Sequence, residues 1–133
     1  MVYIPYNIVN TKDRDNHMNF EVEYYEDQNG KYPVEEFILS QEEKMQAKIF
    51  RMITLLEEYG NQLREPYSKE LDDKIFELRI KQSSNITRIL YFFVVGRKII
   101  LTNGFVKKQD KTPPGEIKLA KERRELYYKS KKE

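Results

Sequence analysis

The chain has no cysteine and no tryptophan among its 133 residues, and a single histidine, His17. The missing cysteines exclude disulfides, a thiolate nucleophile and cysteine-ligated zinc. One histidine excludes a histidine-rich metal centre and a two-histidine acid–base pair. No long apolar run is present. The longest, Ile89 to Val95, falls far short of the roughly 20 residues that a membrane span needs. Met1–Asn10 has neither a basic start nor an extended apolar core, so no secretory leader is expected. These absences leave a cytoplasmic protein with no membrane partner as the expectation.

What is present is charge, and it is unevenly placed. The formal net charge is only +2. Residues 1–73 carry 8 Lys/Arg against 16 Asp/Glu, a net −8, whereas residues 74–133 carry 16 against 6, a net +10. A basic half of this kind suits a polyanion, with the acidic half standing clear of it.

The length suits one domain. Residues 1–17 read as an N-terminal extension, and residues 18–133 as the domain. Asn19–Tyr25 alternates apolar and charged residues, a half-buried strand. Gln28–Lys31 reads as a turn, and Pro33 opens a helix bearing Val34, Phe37 and Ile38. Ser40 with Glu43 matches a capping box that starts a second helix, striped by Met45, Ile49, Met52, Ile53 and Leu56 and closed at Gly60. Residues 61–73 read as a connector. Strands are expected over Lys74–Lys81, Ile86–Val95 and Lys98–Val106, then a polar loop and a basic helix over Glu116–Lys129, with Ile117, Ala120 and Tyr127 as its apolar stripe. The expectation is an α+β fold: a largely antiparallel sheet of about four strands, two N-terminal helices on one face, and a basic C-terminal helix.

Hairpin arithmetic places the cations. A loop over Gln82–Asn85 sets Lys81 opposite Ile86, and therefore Arg79 opposite Arg88 and Glu77 opposite Leu90. A two-residue turn at Gly96-Arg97 sets Val95 opposite Lys98, Arg88 opposite Phe105 and Leu90 opposite Asn103. Opposed side chains share a face. One open face then bears Arg79, Arg88, Phe105 and Lys107, with Glu77 and Asn103 one row along. The other bears Phe76, Leu78, Ile80, Ile89, Tyr91, Phe93 and Ile100 and beds the two helices. Two opposed arginines repel unless an anion lies between them, and arginine forks well onto phosphate. Glu77 and solvent could equally screen the pair. Lys107, Lys108 and Lys111 cluster after the last strand, with Arg123 and Arg124 on the helix beyond; such groups could grip a phosphate backbone. Phe105 could stack on a base. Lys118, Lys121 and Lys129–Lys132 read as solvated surface, Tyr91 as core, and His17 as a surface residue without a role. Glu35, Glu36, Glu42 and Glu43 complement helix dipoles and do not read as metal ligands. No metal or cofactor is expected.

Several segments resemble the Gp49-like, HigB-type toxins of the RelE/ParE superfamily. They are Phe20–Tyr25 with Gly30, Pro33, Val34 and Phe37; Glu77-Leu78-Arg79; Arg88–Phe92; and above all Asn103-Gly104-Phe105-Val106-Lys107-Lys108 with Lys111-Thr112-Pro113, Glu116, Ile117 and Ala120. The resemblance spans residues 18–129. It implies a RelE-like fold and the toxin of a type II toxin–antitoxin system, an endoribonuclease that cuts translated mRNA on the ribosome without a metal. It also implies a helix-turn-helix, HigA-like antitoxin as partner, with operator DNA reached only through that antitoxin. The matched positions are Arg79, Arg88, Phe105, Lys107 and Lys108, with Lys111 as an outer contact. The expected catalytic residues are Arg79, Arg88, Lys107 and Lys108, and the expected RNA contacts are Glu77, Phe105, Lys111, Arg123 and Arg124. Arg79 and Arg88 would stabilise the phosphate, a lysine or Glu77 would move protons, and the acidic helix starts would offer part of the antitoxin surface. The other readings are a ParE-like inhibitor of DNA gyrase and an RNA-binding module without chemistry.

Overall fold

A computed structural model describes residues 19–132. The expectations for the extension 1–17, His17 included, lie outside the described residues. The elements are β1 (Glu21–Tyr24), α1 (Pro33–Leu39), α2 (Glu43–Tyr59), β2 (Ser68–Asp72), β3 (Ile75–Gln82), β4 (Asn85–Val94), β5 (Lys98–Val106) and α3 (Pro114–Lys131), with a short 3₁₀ turn at Gly60–Gln62. The sheet runs β1-β5-β4-β3-β2. All pairings are antiparallel except that of β1 with β5. The α+β expectation holds, with a fifth strand where the sequence suggested a connector.

Local chemistry accounts for the elements. The turn after β1 is built on Asp27, whose Oδ1 accepts from Asn29 N (2.8 Å) and Lys31 N (2.9 Å). The Lys31 amide is the main reason the Asp27 carboxyl sits below its ordinary range. Pro33 occupies the first turn of α1, where its missing N–H is no loss. Ser40 does not cap α2. It lies in helical backbone (φ −80°, ψ −10°) at the end of α1, and its hydroxyl donates to Phe37 O at 2.6 Å. The extended residue before α2 is Glu42, which makes no side-chain cap. The expected capping box therefore fails, because its serine is used to close the preceding helix.

The apolar stripe of α2 behaves as its spacing requires: Met45, Ile49, Met52, Ile53 and Leu56 are all buried. Gly60 ends the helix at φ +51°, and a Cβ there would lie 2.1 Å from the Phe20 ring. Gly104 in β5 serves a different need. The Phe37 ring lies so close on the sheet that a Cβ would meet it at 2.5 Å.

The sheet has a core on each side. Under α1 and α2 lie Leu78, Ile80, Ile89, Tyr91, Ile99 and Leu101, with Phe76 and Phe93 against them. Under α3 lie Ile75, Leu90, Phe92 and Ile100, gathered around Ala120 and Tyr25. The second face is thus not open along its length, because α3 covers the end where its side chains are apolar. The β4–β5 register explains the misplaced Ile100. Val94, not Val95, faces Lys98, so the turn holds three residues. A bulge between Leu90 and Tyr91 then restores the pairs Leu90–Asn103 and Arg88–Phe105. Thr102, the extra residue, uses its hydroxyl to donate to Leu90 O at 3.1 Å. Between turn and bulge each β5 side chain sits on the face opposite to the simple count, and Ile100 joins Phe92.

Candidate active site

The strand pairs that matter follow the arithmetic. Arg79 faces Arg88 and Arg88 faces Phe105, across three adjacent strands. The two arginines share their face with Glu77, which is almost completely buried (1% exposed). Glu77 Oε2 accepts from Arg88 Nη1 at 2.6 Å and from Arg79 Nε at 2.9 Å. Glu77 Oε1 accepts from the Thr112 hydroxyl at 2.6 Å. The anion that two opposed arginines require is thus the chain's own carboxylate. A buried charge left alone would be costly; here three charged groups form one hydrogen-bonded unit with a net +1.

The two guanidiniums are not equally placed. The Arg79 side chain is 27% exposed and Arg88 only 9%. Arg88 Nε is buried and has no hydrogen-bond partner among the described residues. Over Arg88 lies the loop that follows β5. Arg88, Phe105, Lys107, Lys108, Lys111 and Thr112 are among the residues lining a small hollow of about 170 Å³ of empty space. Lys107 is partly buried, its amide donating to Ile86 O at 2.9 Å and its ammonium 3.7 Å from Asp110. Lys108 and Lys111 are exposed. One row along, Asn103 Nδ2 donates to Glu116 O (3.2 Å) and Oε1 (2.9 Å), tying the start of α3 to the sheet. A larger hollow, about 1090 Å³ of open space, lies between the end of β1 and the last turns of α3. It holds neither arginine of the row, and the charge convergence makes the smaller one the candidate site.

Seven of the nine sequence-derived site residues are therefore brought together: Glu77, Arg79, Arg88, Phe105, Lys107, Lys108 and Lys111. Arg123 and Arg124 are engaged elsewhere. Arg123 donates to Thr102 O at 2.8 Å and lies over the Tyr25 ring. Arg124 donates to Asp73 O at 2.5 Å and to Asp73 Oδ2 at 2.7 Å. With the Lys121–Asp72 pair they dock α3 on the sheet. Tyr91 is on the helix-covered face, as expected. Burial pushes its hydroxyl up to about 12, and it donates to Ser68 Oγ at 2.9 Å. Thr112 is the site residue that sequence reasoning missed; a threonine between lysine and proline carries no signal of its own. Among the described residues no group of three or more His, Asp or Glu could hold a metal ion. Nor is any described helix long and apolar enough to cross a membrane.

A five-stranded sheet with two helices on one face, one on the other and a cation row between strand ends is a RelE-like α+β domain. More narrowly, the chain belongs to the phage-derived protein Gp49-like family (DUF891), whose pattern matches residues 36–125. The match runs from α1 into α3 and contains every residue of the site. That family is related to the RelE/HigB-type toxins and points to a toxin of a toxin–antitoxin pair, with an antitoxin as partner. No curated protein matches the chain significantly.

Proposed function

We propose that this protein is the toxin of a type II toxin–antitoxin system and an endoribonuclease that cuts mRNA held in the ribosome's decoding site. The observation that carries the reading is the convergence of Arg79, Arg88 and three loop lysines on one end of the sheet face, beside Phe105. Single-stranded RNA offers what such a surface takes: phosphates for the cations and a base for the phenyl ring.

The chemistry is attack of a ribose 2′-oxygen on the adjacent phosphorus. The 2′-hydroxyl gives up its proton, the P–O5′ bond breaks, the 5′-oxygen takes a proton, and a 2′,3′-cyclic phosphate remains. Guanidiniums stabilise charge growing on the phosphoryl oxygens. Arg79, the more exposed, makes first contact, and Arg88 lies behind it. Lys107 or Lys108 serves proton transfer or its orientation. Both Glu77 oxygens are committed to Arg79, Arg88 and Thr112. That arrangement favours Glu77 as a positioning residue over Glu77 as a base. With such weak proton-transfer groups, cleavage of naked RNA is slow, and the ribosome supplies geometry by holding the mRNA. The partner is a helix-turn-helix antitoxin, and operator DNA is met through it.

Arg79→Ala tests the reading, because a partly exposed side chain can be removed with little effect on the fold. Loss of one charge-stabilising group lowers the cleavage rate by about 10²–10³. Induced cells should then escape growth arrest and keep intact mRNA. Full toxicity of Arg79→Ala at equal expression would sink the proposal, as would a DNA-damage response without mRNA cleavage in cells making the wild type.

A further inference from the structure

Arg88 is asked to meet a phosphodiester, yet its side chain is nine-tenths buried. Beside it lies the loop between β5 and α3, whose residues 107–113 line one hollow with Arg88 and Phe105. That loop is held at its start by Lys107 N on Ile86 O, and at its end by Pro113, where α3 begins. Between these points residues 108–112 make no backbone–backbone hydrogen bond to the rest of the described residues, and Lys108, Gln109, Asp110 and Lys111 are exposed. Among the described residues one side-chain hydrogen bond ties this stretch inward, that of Thr112 to Glu77 Oε1. Since Glu77 Oε2 holds both guanidiniums, the loop, the carboxylate and the arginines form one chain of hydrogen bonds. Arg88 Nε, buried and without a partner among the described residues, belongs to the same unit.

We propose that Thr112 is a latch. Bonded to Glu77, it closes residues 107–113 over Arg88; released, it lets the loop lift about its two ends, so that a phosphodiester reaches the Arg88 guanidinium with the loop lysines flanking it. The weight of this for catalysis rests on the function proposed above; the latch itself is a property of the fold. A hydrogen bond to a charged acceptor biases such an opening by about tenfold or more. Thr112 is a positioning residue, which acts through Glu77.

The test uses arginine-directed dicarbonyl modification of the folded protein, read peptide by peptide by mass spectrometry. In the wild type Arg88 reacts at least about tenfold more slowly than Arg79. Thr112→Val, similar in shape but without the hydroxyl, raises the Arg88 rate about tenfold, and Thr112→Ser restores it. An Arg88 rate equal in the wild type and Thr112→Val overturns the latch. Should Thr112→Val fail to fold, the wild type decides. Arg88 modification must then proceed at a rate insensitive to sub-denaturing urea; Arg88 reacting only through global unfolding refutes the proposal. The readout contains no RNA. A fully toxic Arg79→Ala would thus remove the nuclease and leave the latch standing, and the reverse holds too.

Discussion

Glu77→Ala is the substitution from which the structure predicts most. It removes an acceptor lying 2.6 Å from Arg88 Nη1 and 2.9 Å from Arg79 Nε. Two guanidiniums then oppose each other across β3 and β4 with nothing between them. At about 5 Å and an effective dielectric of about 20, like charges repel by about 3 kcal/mol. That figure is discounted because Arg79 is 27% exposed and water screens it. The loss of the short bond to the buried Arg88 adds about 2 kcal/mol. The total, about 3–5 kcal/mol, is what removing one partner from a buried ionic network costs. Set against a domain stability of about 5–15 kcal/mol, it lowers the melting temperature by more than about 10 °C. The assay is urea unfolding followed by tyrosine fluorescence and circular dichroism, with ΔG and m fitted together. A loss below about 1 kcal/mol at unchanged m would refute the argument that Glu77 holds the arginines. Replacing Glu77 and Arg88 together by leucine and methionine should recover much of the loss, since the orphaned charge is removed with its partner. By the same reasoning Arg88→Ala is a poor probe of activity, because it takes from the buried Glu77 the nearer of its two cationic partners.

Three further outcomes follow from the geometry. The Tyr91 hydroxyl ionises near pH 10 in the unfolded chain and about 12 in the fold. The native state therefore keeps the proton over that window, and Tyr91 takes about 2–3 kcal/mol from stability as pH rises from about 10 to 12. Tyr91→Phe should flatten that part of the profile in urea titrations and leave neutral-pH slopes alone; an unchanged alkaline slope contradicts the buried hydroxyl. Gly60→Ala places a methyl 2.1 Å from the Phe20 ring at φ +51° and should cost about 2–3 kcal/mol in thermal melts; a neutral effect would mean the β1–α2 contact is not as described. Replacing Lys107 and Lys108 together should weaken RNA binding and reduce its log–log salt slope by about 1.4, the share of two phosphates on a single strand. An unchanged slope removes both lysines from the phosphate contacts.

The site end of the sheet was legible because alternation there is strict. Phe76, Leu78 and Ile80 fix one face of β3, so Glu77 and Arg79 must lie on the other, and a hairpin carries the count to Arg88 and Phe105. The hairpin tip was not legible. A three-residue turn and a bulge at Thr102 cancel each other, so the count is right at Arg88 and wrong at Ile100. The strand β2 was hidden because an edge strand needs little burial: only Ser68 is fully covered, and Lys69, Glu70 and Asp72 read as loop. Ser40 satisfied a capping pattern by residue type while its backbone was already committed to α1. Arg123 and Arg124 read as nucleic-acid contacts because sequence shows that a residue is cationic but not which carbonyl or carboxylate it reaches. Their partners, Thr102 O and Asp73, are 21 and 51 positions away.

The parallel edge has a consequence for how the chain is made. Glu21 pairs with Lys98, 77 positions downstream. The first of the described strands to leave the ribosome thus waits for the last, and closing so large a loop makes this a late step of folding. A nascent chain that stops before Lys98 has no partner for β1, and lacks Phe105 and every loop lysine as well. Truncated products therefore carry neither a finished sheet nor a gathered site, and the molecule matures as a whole.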